Sequence, residues 1–156
     1  MYKKLLTPQQ ALQKLRHFCA YQERSHQDVR EKLLQLNCAK KEHDAIIASL
    51  IEDDYLNEER FACSFARGKH RIKHWGKIRI TNELRYKKIT QTLIHKALQE
   101  ITPEEYLNTF HNLAERQWDS IQETNTLKKQ KKWCDYLLRK GFENNLVYDK
   151  LKELAH

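Results

Sequence analysis

One short apolar pattern occurs three times in this chain. Val29 and Leu33 are followed by Cys38, Ile80 and Leu84 by Ile89, and Trp133 and Leu137 by Phe142. In each copy an apolar pair with helical i, i+4 spacing is followed, five residues on, by a third apolar residue. The copies lie about a third of the chain apart, a period that marks stacked supersecondary units. An array of small helical units presents a long surface rather than a single catalytic pocket. The rest of the sequence agrees with helices. The 156 residues include only three Gly and two Pro, too few for a fold built on tight turns. Leu, Lys, Gln, Glu and Ala, all good helix formers, fill the long segments. The expected fold is all-α, an elongated, curved array of three tandem three-helix repeats over 1–56, 57–101 and 102–156, with no flexible linker between them.

Helix starts are well marked. Thr7-Pro8-Gln9-Gln10 and Thr102-Pro103-Glu104-Glu105 each offer a capping threonine and a proline suited to the first turn. In each, Gln10 or Glu105 can reach back to complete a capping box. Ser25 with Asp28 is a shorter-armed version, and Asn57 and Thr90 cap two further helices. The residue before the third apolar position is Asn37, Lys88 or Gly141. A helix that stops there needs a left-handed residue, which Gly and then Asn adopt cheaply, so Lys88 is the exception. These signals predict helices over 8–23, 26–36, 42–53, 58–73, 77–87, 91–100, 103–122, 127–140 and 144–154. Keeping the repeats in register requires a three-residue insertion between the second and third helices of the first unit. Third helices supply Ile46/Leu50, Ile94/Leu98 and Val147/Leu151; first helices supply Leu12/Leu15, Phe61/Phe65 and Phe110/Leu113.

The formal net charge is +8, and 40% of the residues are apolar, enough for a lean core. A basic balance of this size points to nucleic acid, an acidic protein surface, or both. The charge is uneven. Acids lead from Lys41 to Ala62, whereas bases lead from Arg67 to Lys96 and again from Lys128 to Lys140. Arg67 and Arg71, and Lys69 and Lys73, form i, i+4 pairs on neighbouring stripes of one helix. Lys77, Arg79, Arg85, Lys87 and Lys88 carry the basic field onward, and Lys131, Lys132 and Arg139 begin a second field. These twelve are the candidate contacts to phosphate or to an acidic filament; solvated helix faces are the plainer alternative.

Other constellations carry less. Cys19, Cys38, Cys63 and Cys134 lack metal-ligand spacing and read as free thiols of a reducing compartment. His70 and His74 have i, i+4 spacing, but no third ligand completes a metal site and their neighbours are cationic. Asp53 and Asp54 are adjacent, so they do not face each other as a catalytic pair and suit a helix end. Tyr55 and Leu56 are expected to seat the junction between the first two units. Trp75, among Lys73, His74 and Lys77, is expected to pack as core rather than stack on a base, and Trp133 likewise. No nucleophile elbow, phosphate loop or zinc motif is found, so no catalytic residue, cofactor or metal is expected. A small hydrolase would need a clustered acid, base and nucleophile. The N-terminal stretch Met1–Pro8 lacks an apolar run of signal-peptide length, and no segment approaches a membrane span, so the expectation is a cytoplasmic protein without a membrane partner.

Two stretches carry a resemblance. They are Asp53-Asp54-Tyr55-Leu56-Asn57-Glu58-Glu59-Arg60-Phe61-Ala62, and Trp75-Gly76-Lys77-Ile78-Arg79-Ile80 running into Glu83-Leu84 and Lys87-Lys88-Ile89. Together they resemble the RecX family of bacterial regulators of the RecA recombinase. That family shows an acidic-Tyr-Leu-acidic-x-Arg-Phe-Ala segment and a Gly-x-x-Arg-Ile-x-x-Glu-Leu segment in its middle repeat. The likeness spans nearly the whole chain and is sharp between about 53 and 89. It departs at Lys88, where the family usually has Gly, and in the polar stretch from Gln117 to Gln130. It implies a regulator that lies in the groove of the RecA filament, close to the single- or double-stranded DNA within it, and that limits recombinase and co-protease activity; a monomer is expected. The other reading is a free-standing nucleic-acid-binding helical protein without a recombinase partner.

Overall fold

The computed structural model describes residues 4–155; Met1–Lys3, part of the stretch read for a leader, lies outside the described residues. Among the described residues nine α-helices follow in chain order: α1 Pro8–Tyr21, α2 His26–Gln35, α3 His43–Glu52, α4 Glu58–Lys73, α5 Lys77–Tyr86, α6 Gln91–Leu98, α7 Pro103–Ser120, α8 Thr126–Lys140 and α9 Asn144–Leu154. There is no strand among the described residues, and the chain is an all-α helical array. A 3₁₀ turn at Lys40–Glu42 lies between α2 and α3 and takes up the extra residues of the first unit. No helix among the described residues is long and apolar enough to cross a membrane.

The caps show why the helices begin where they do. Thr7 accepts from the Gln10 amide while the Gln10 side chain accepts from the Thr7 amide, and Ser25 and Asp28 make the same reciprocal pair. Asn57, Thr90 and Asn125 each accept from the amide three residues on. Thr102 does so too, toward Glu105, whose carboxylate serves a second partner as well. The Glu105 carboxylate also takes the Arg71 guanidinium at 2.7 Å, and that charge-assisted bond is its strongest.

The repeated apolar pattern encodes a helix together with its closure. Val29, Leu33, Ile80, Leu84, Trp133 and Leu137 are all fully buried. The amides of Cys38, Ile89 and Phe142 donate back to the carbonyls of Leu33, Leu84 and Leu137, at 3.0, 3.0 and 3.2 Å. This is the Schellman bond, and the apolar pair it joins covers the helix end. The intervening residue is left-handed in every copy: Asn37 at φ 58°, Lys88 at 62° and Gly141 at 98°. Lys88 therefore adopts the turn that its side chain disfavours rather than a different one. Asp54 closes α3 in the same way, with the Tyr55 amide donating to the Leu50 carbonyl, while the left-handed His74 closes α4 in a turn one residue wider, the Trp75 amide donating to the Lys69 carbonyl.

The core divides into two apolar clusters. One gathers Ala11, Leu15, Val29, Leu33, Leu50 and Leu56 with their neighbours, all from α1–α3 and the turn that follows. Leu56 and Tyr55 thus pack with the first unit. The other runs from Phe61 to Val147 and takes in α4–α9. Within it the helices dock backbone to backbone at Gly76 and Gly141. The Gly76 amide donates to the Lys140 carbonyl at 2.7 Å and the Ile78 amide to the Gly141 carbonyl at 3.0 Å. A Cβ at Gly76 would overlap the Gly141 carbonyl, and one at Gly141 would overlap Arg79. The first cluster meets the second mainly through polar groups. Arg60 pairs with Glu23 at 2.9 Å, Lys87 with Asp28 at 2.9 Å, and Glu58 accepts from the His26 amide at 3.1 Å.

All four cysteines are free, and burial raises each thiol, that of Cys19 to about 11. They act as small apolar residues rather than reactive thiolates.

Candidate polyanion-binding surface

Where α4 ends, α5 begins and α8 ends, the backbone lock at Gly76 and Gly141 draws cations together. His74 is left-handed and turns the chain sharply, which sets Trp75 against the core with its ring edge toward Phe65, 6.2 Å between centroids. Lys69 lies 5.0 Å from the centre of the Trp75 indole and Arg79 lies 4.1 Å from it. Trp75 is thus half-buried and flanked by two cations. Arg79 also donates to the Arg139 carbonyl at 3.3 Å, and the Lys140 ammonium donates to the Lys73 carbonyl at 2.9 Å. Lys77 stands 4.7 Å above the Tyr106 ring, whose hydroxyl accepts from the Lys77 amide and donates to Glu143. Burial, followed by that Glu143 bond, raises the Tyr106 phenol and keeps it protonated.

Electrostatics marks this corner as strained by like charge. Burial, then Arg79 and Lys73, lowers the Lys140 ammonium below its ordinary value. Burial, then Arg116 and Lys140, lowers His74. Among the described residues no carboxylate lies within ion-pair distance of Lys69, Lys73, Arg79 or Lys140. Clustered positive charge without counter-charge destabilises a fold by itself and is relieved by an anion.

The other candidates are placed differently. Arg67 pairs with Glu100 at 3.0 Å and Arg71 with Glu105. Lys87 pairs with Asp28, Lys131 with Asp135 at 2.9 Å, and Lys132 with Glu123 at 3.2 Å. Exposed pairs of this kind are weak, yet a cation already facing a carboxylate offers little net field to a phosphate. Arg85 donates to Gln91, and Lys88 is exposed at its turn. Of the twelve, Lys69, Lys73, Lys77, Arg79 and Arg139 gather around the α4–α5–α8 corner. Sequence reasoning did not select Lys140 or Arg116 for it. Lys140 was visible as the end of the second basic stretch, but Arg116 sits alone on α7 and only the fold brings it near.

The remaining constellations resolve locally. His70 is fully buried, and its Nδ1 lies 2.9 Å from the Trp75 carbonyl, to which it donates. It therefore supports the turn, and no group of three metal-type side chains occurs among the described residues. Asp53 follows α3 and pairs with Arg16, while Asp54 takes the left-handed turn and accepts from Arg60.

Comparison with known proteins agrees with this architecture. Residues 57–98 match the family described as RecX, second three-helix domain, and residues 104–151 match RecX, third three-helix domain. A regulatory protein RecX of Bacillus cytotoxicus is 28% identical over 137 residues, which make up 88% of this chain and 51% of that protein. One of Bacillus mycoides is 25% identical over the same shares. The chain thus spans about half the length of the curated relatives it matches. Its fold is similar to a crystal structure of regulatory protein RecX, with a TM-score of 0.83, 23% identity and coverage of 94% of this chain and 73% of that one. It is also similar to RecX from Lactobacillus salivarius, with a TM-score of 0.78, 24% identity and coverage of 95% and 96%. Two adjoining three-helix domains that together span more than half of its length place this chain in the RecX family.

Proposed function

We propose that this chain is a non-enzymatic regulator that binds the RecA–DNA filament and restrains its recombinase and co-protease activities. The observation that carries the reading is the corner around Trp75, where Lys69, Lys73, Arg79 and Lys140 converge without a counter-charge. A filament supplies what this corner lacks: regularly spaced phosphate, and protein surface beside it. Arg139, Lys77 and Arg116 widen the same field. Arg67, Arg71, Lys87, Lys131 and Lys132 act at longer range, steering approach rather than making first contact, and Arg85 and Lys88 extend the field along α5. In this reading the chain is divided at 56/57 and 101/102 into three units, acts as a cytoplasmic monomer, and uses the second and third units for most of its electrostatic contact.

Membership of the RecX family supports this reading. Co-sedimentation tests it. The chain should pellet with RecA filaments on single-stranded DNA at moderate salt, more than with the DNA alone, and should slow strand exchange and filament ATP hydrolysis. Replacing Arg79 and Lys140 with Glu should release it. Equal retention on bare DNA, falling steeply with salt, would favour a free-standing nucleic-acid binder. No retention and no inhibition by folded protein would overturn the proposal.

A further inference from the structure

A second surface runs along α4 beside the Trp75 corner and shares Lys69 and Lys73 with it. Two adjoining cavities of about 440 and 260 Å³ share Gln22, Phe61, Phe65 and Lys69, and together form one open trough between α1–α2 and α4. Its α4 wall carries Phe61, Phe65, Gly68 and Ile72, with alternating spacings of four, three and four residues. That is the spacing of a helix face that packs on another helix. Ile72 is 76% exposed, so nothing among the described residues covers the far end of the face.

Gly68 sharpens the point. Glycine inside a helix costs about 1 kcal/mol relative to alanine. Elsewhere in this chain the glycines have an internal reason, since Gly76 and Gly141 touch backbone or Arg79. At Gly68 a Cβ would meet no atom within 4 Å. The fold itself gains nothing from this glycine, which leaves a notch in the middle of the seam where a side chain or backbone of another molecule can approach.

The rim defines the visitor. Arg24 lies 3.7 Å from the Phe18 ring centre and donates to the Phe18 carbonyl; neither it nor Lys32, Lys69 or Lys73 faces a carboxylate among the described residues. Of the acids at the trough, Asp28 is held by Lys87 and Glu23 by Arg60, leaving Glu31. We infer that the trough docks an acidic amphipathic helix of a partner protein, its apolar side chains on Phe61, Phe65 and Ile72, one of them in the notch at Gly68, and its carboxylates toward Arg24, Lys32, Lys69 and Lys73. A phosphodiester strand fits less well, because it would leave the phenyl floor unused. A second copy of this chain, at +8, would set lysine against lysine.

This site goes beyond the filament reading and does not depend on it. The test uses a panel of peptides of about 16 residues, with Leu or Phe at helical seam positions and Glu between them, titrated into the full chain by fluorescence anisotropy. Acidic members should bind, and Gly68→Leu or Ile72→Glu should weaken them at least about tenfold. Gly68→Leu should unfold at or above the wild-type midpoint, which separates a blocked site from a damaged fold. The double replacement of Arg79 and Lys140 with Glu should leave peptide binding largely in place, which separates this site from the Trp75 corner. Four results would overturn the inference. No acidic member binds; Lys-for-Glu versions bind equally well; Gly68→Leu changes nothing; or the change instead abolishes binding of oligothymidylate or self-association in sedimentation.

Discussion

Lys88 holds φ at 62° with its side chain exposed, while the residue in the matching place of the third copy is glycine. A left-handed L-residue carries a cost that glycine avoids, partly offset by the greater freedom of glycine in the unfolded chain. Lys88→Gly should therefore stabilise the protein by about 1 kcal/mol, read as a higher urea midpoint at unchanged slope. Gly141→Ala should do the reverse by about 2 kcal/mol or more, because it adds overlap with Arg79 to the strain at φ 98°. The left-handed sites at Asn37 and Gly141 were legible because their residue types announce them. Those at Asp54 and His74 were not. Both are left-handed helix ends, that at His74 one residue wider, but in these two the residue after the turn, Tyr55 or Trp75, is only half-buried, so no alternation of core positions points to it. His74 matters most, since its turn aims Trp75 into the cationic corner. The corner itself was half legible: its α4 and α5 members form a basic run in sequence, while Arg116 and Lys140 arrive from helices far along the chain.

Among elements, α4 and α7 are tied by Arg71 and Glu105, and this tie has a pH signature. The guanidinium beside Glu105 holds its carboxyl below the ordinary value of 4.5. A carboxyl depressed on folding adds stability that is present above its unfolded pKa and is lost as pH falls through the folded one. The wild-type thermal midpoint should thus fall as pH drops below about 4.5, and Arg71→Gln should flatten that fall. Identical slopes in the two proteins would show that the tie contributes nothing to folding. On α8, Lys131 and Lys132 already face Asp135 and Glu123, so replacing both with Gln should change retention on anionic filaments far less than replacing Arg79 and Lys140. An equal loss from the two pairs would mean that net charge rather than the corner governs binding. Helix positions were legible to within a turn because the caps are local chemistry. The carboxylate partners were not, since Glu100 and Glu105 meet their cations on α4 from residues more than thirty positions away, and Glu123 meets Lys132 from the loop before α8.

At the scale of the molecule, the two junctions are built from different materials. From α4 to α9 one apolar cluster is continuous, and the Gly76–Gly141 lock adds backbone hydrogen bonds across it. The α1–α3 cluster is separate and meets α4–α5 through Arg60–Glu23, Lys87–Asp28 and Glu58 with His26. Ion pairs that are partly open to water contribute little and weaken with salt, whereas a shared apolar core couples its parts strongly. A three-helix unit of this size also buries a smaller fraction of its surface than a larger domain does. Its opening should therefore cost less than global unfolding. Native-state hydrogen exchange should show slow amides of α1–α3, such as those of Leu15 and Leu33, opening at lower free energy than those of Leu84 and Leu137. High salt should widen the gap. A fragment spanning 57–156 should keep its helix content and most of its thermal stability. One common opening free energy across all four amides, or a fragment that unfolds, would show that the first unit is an integral part of a single cooperative core.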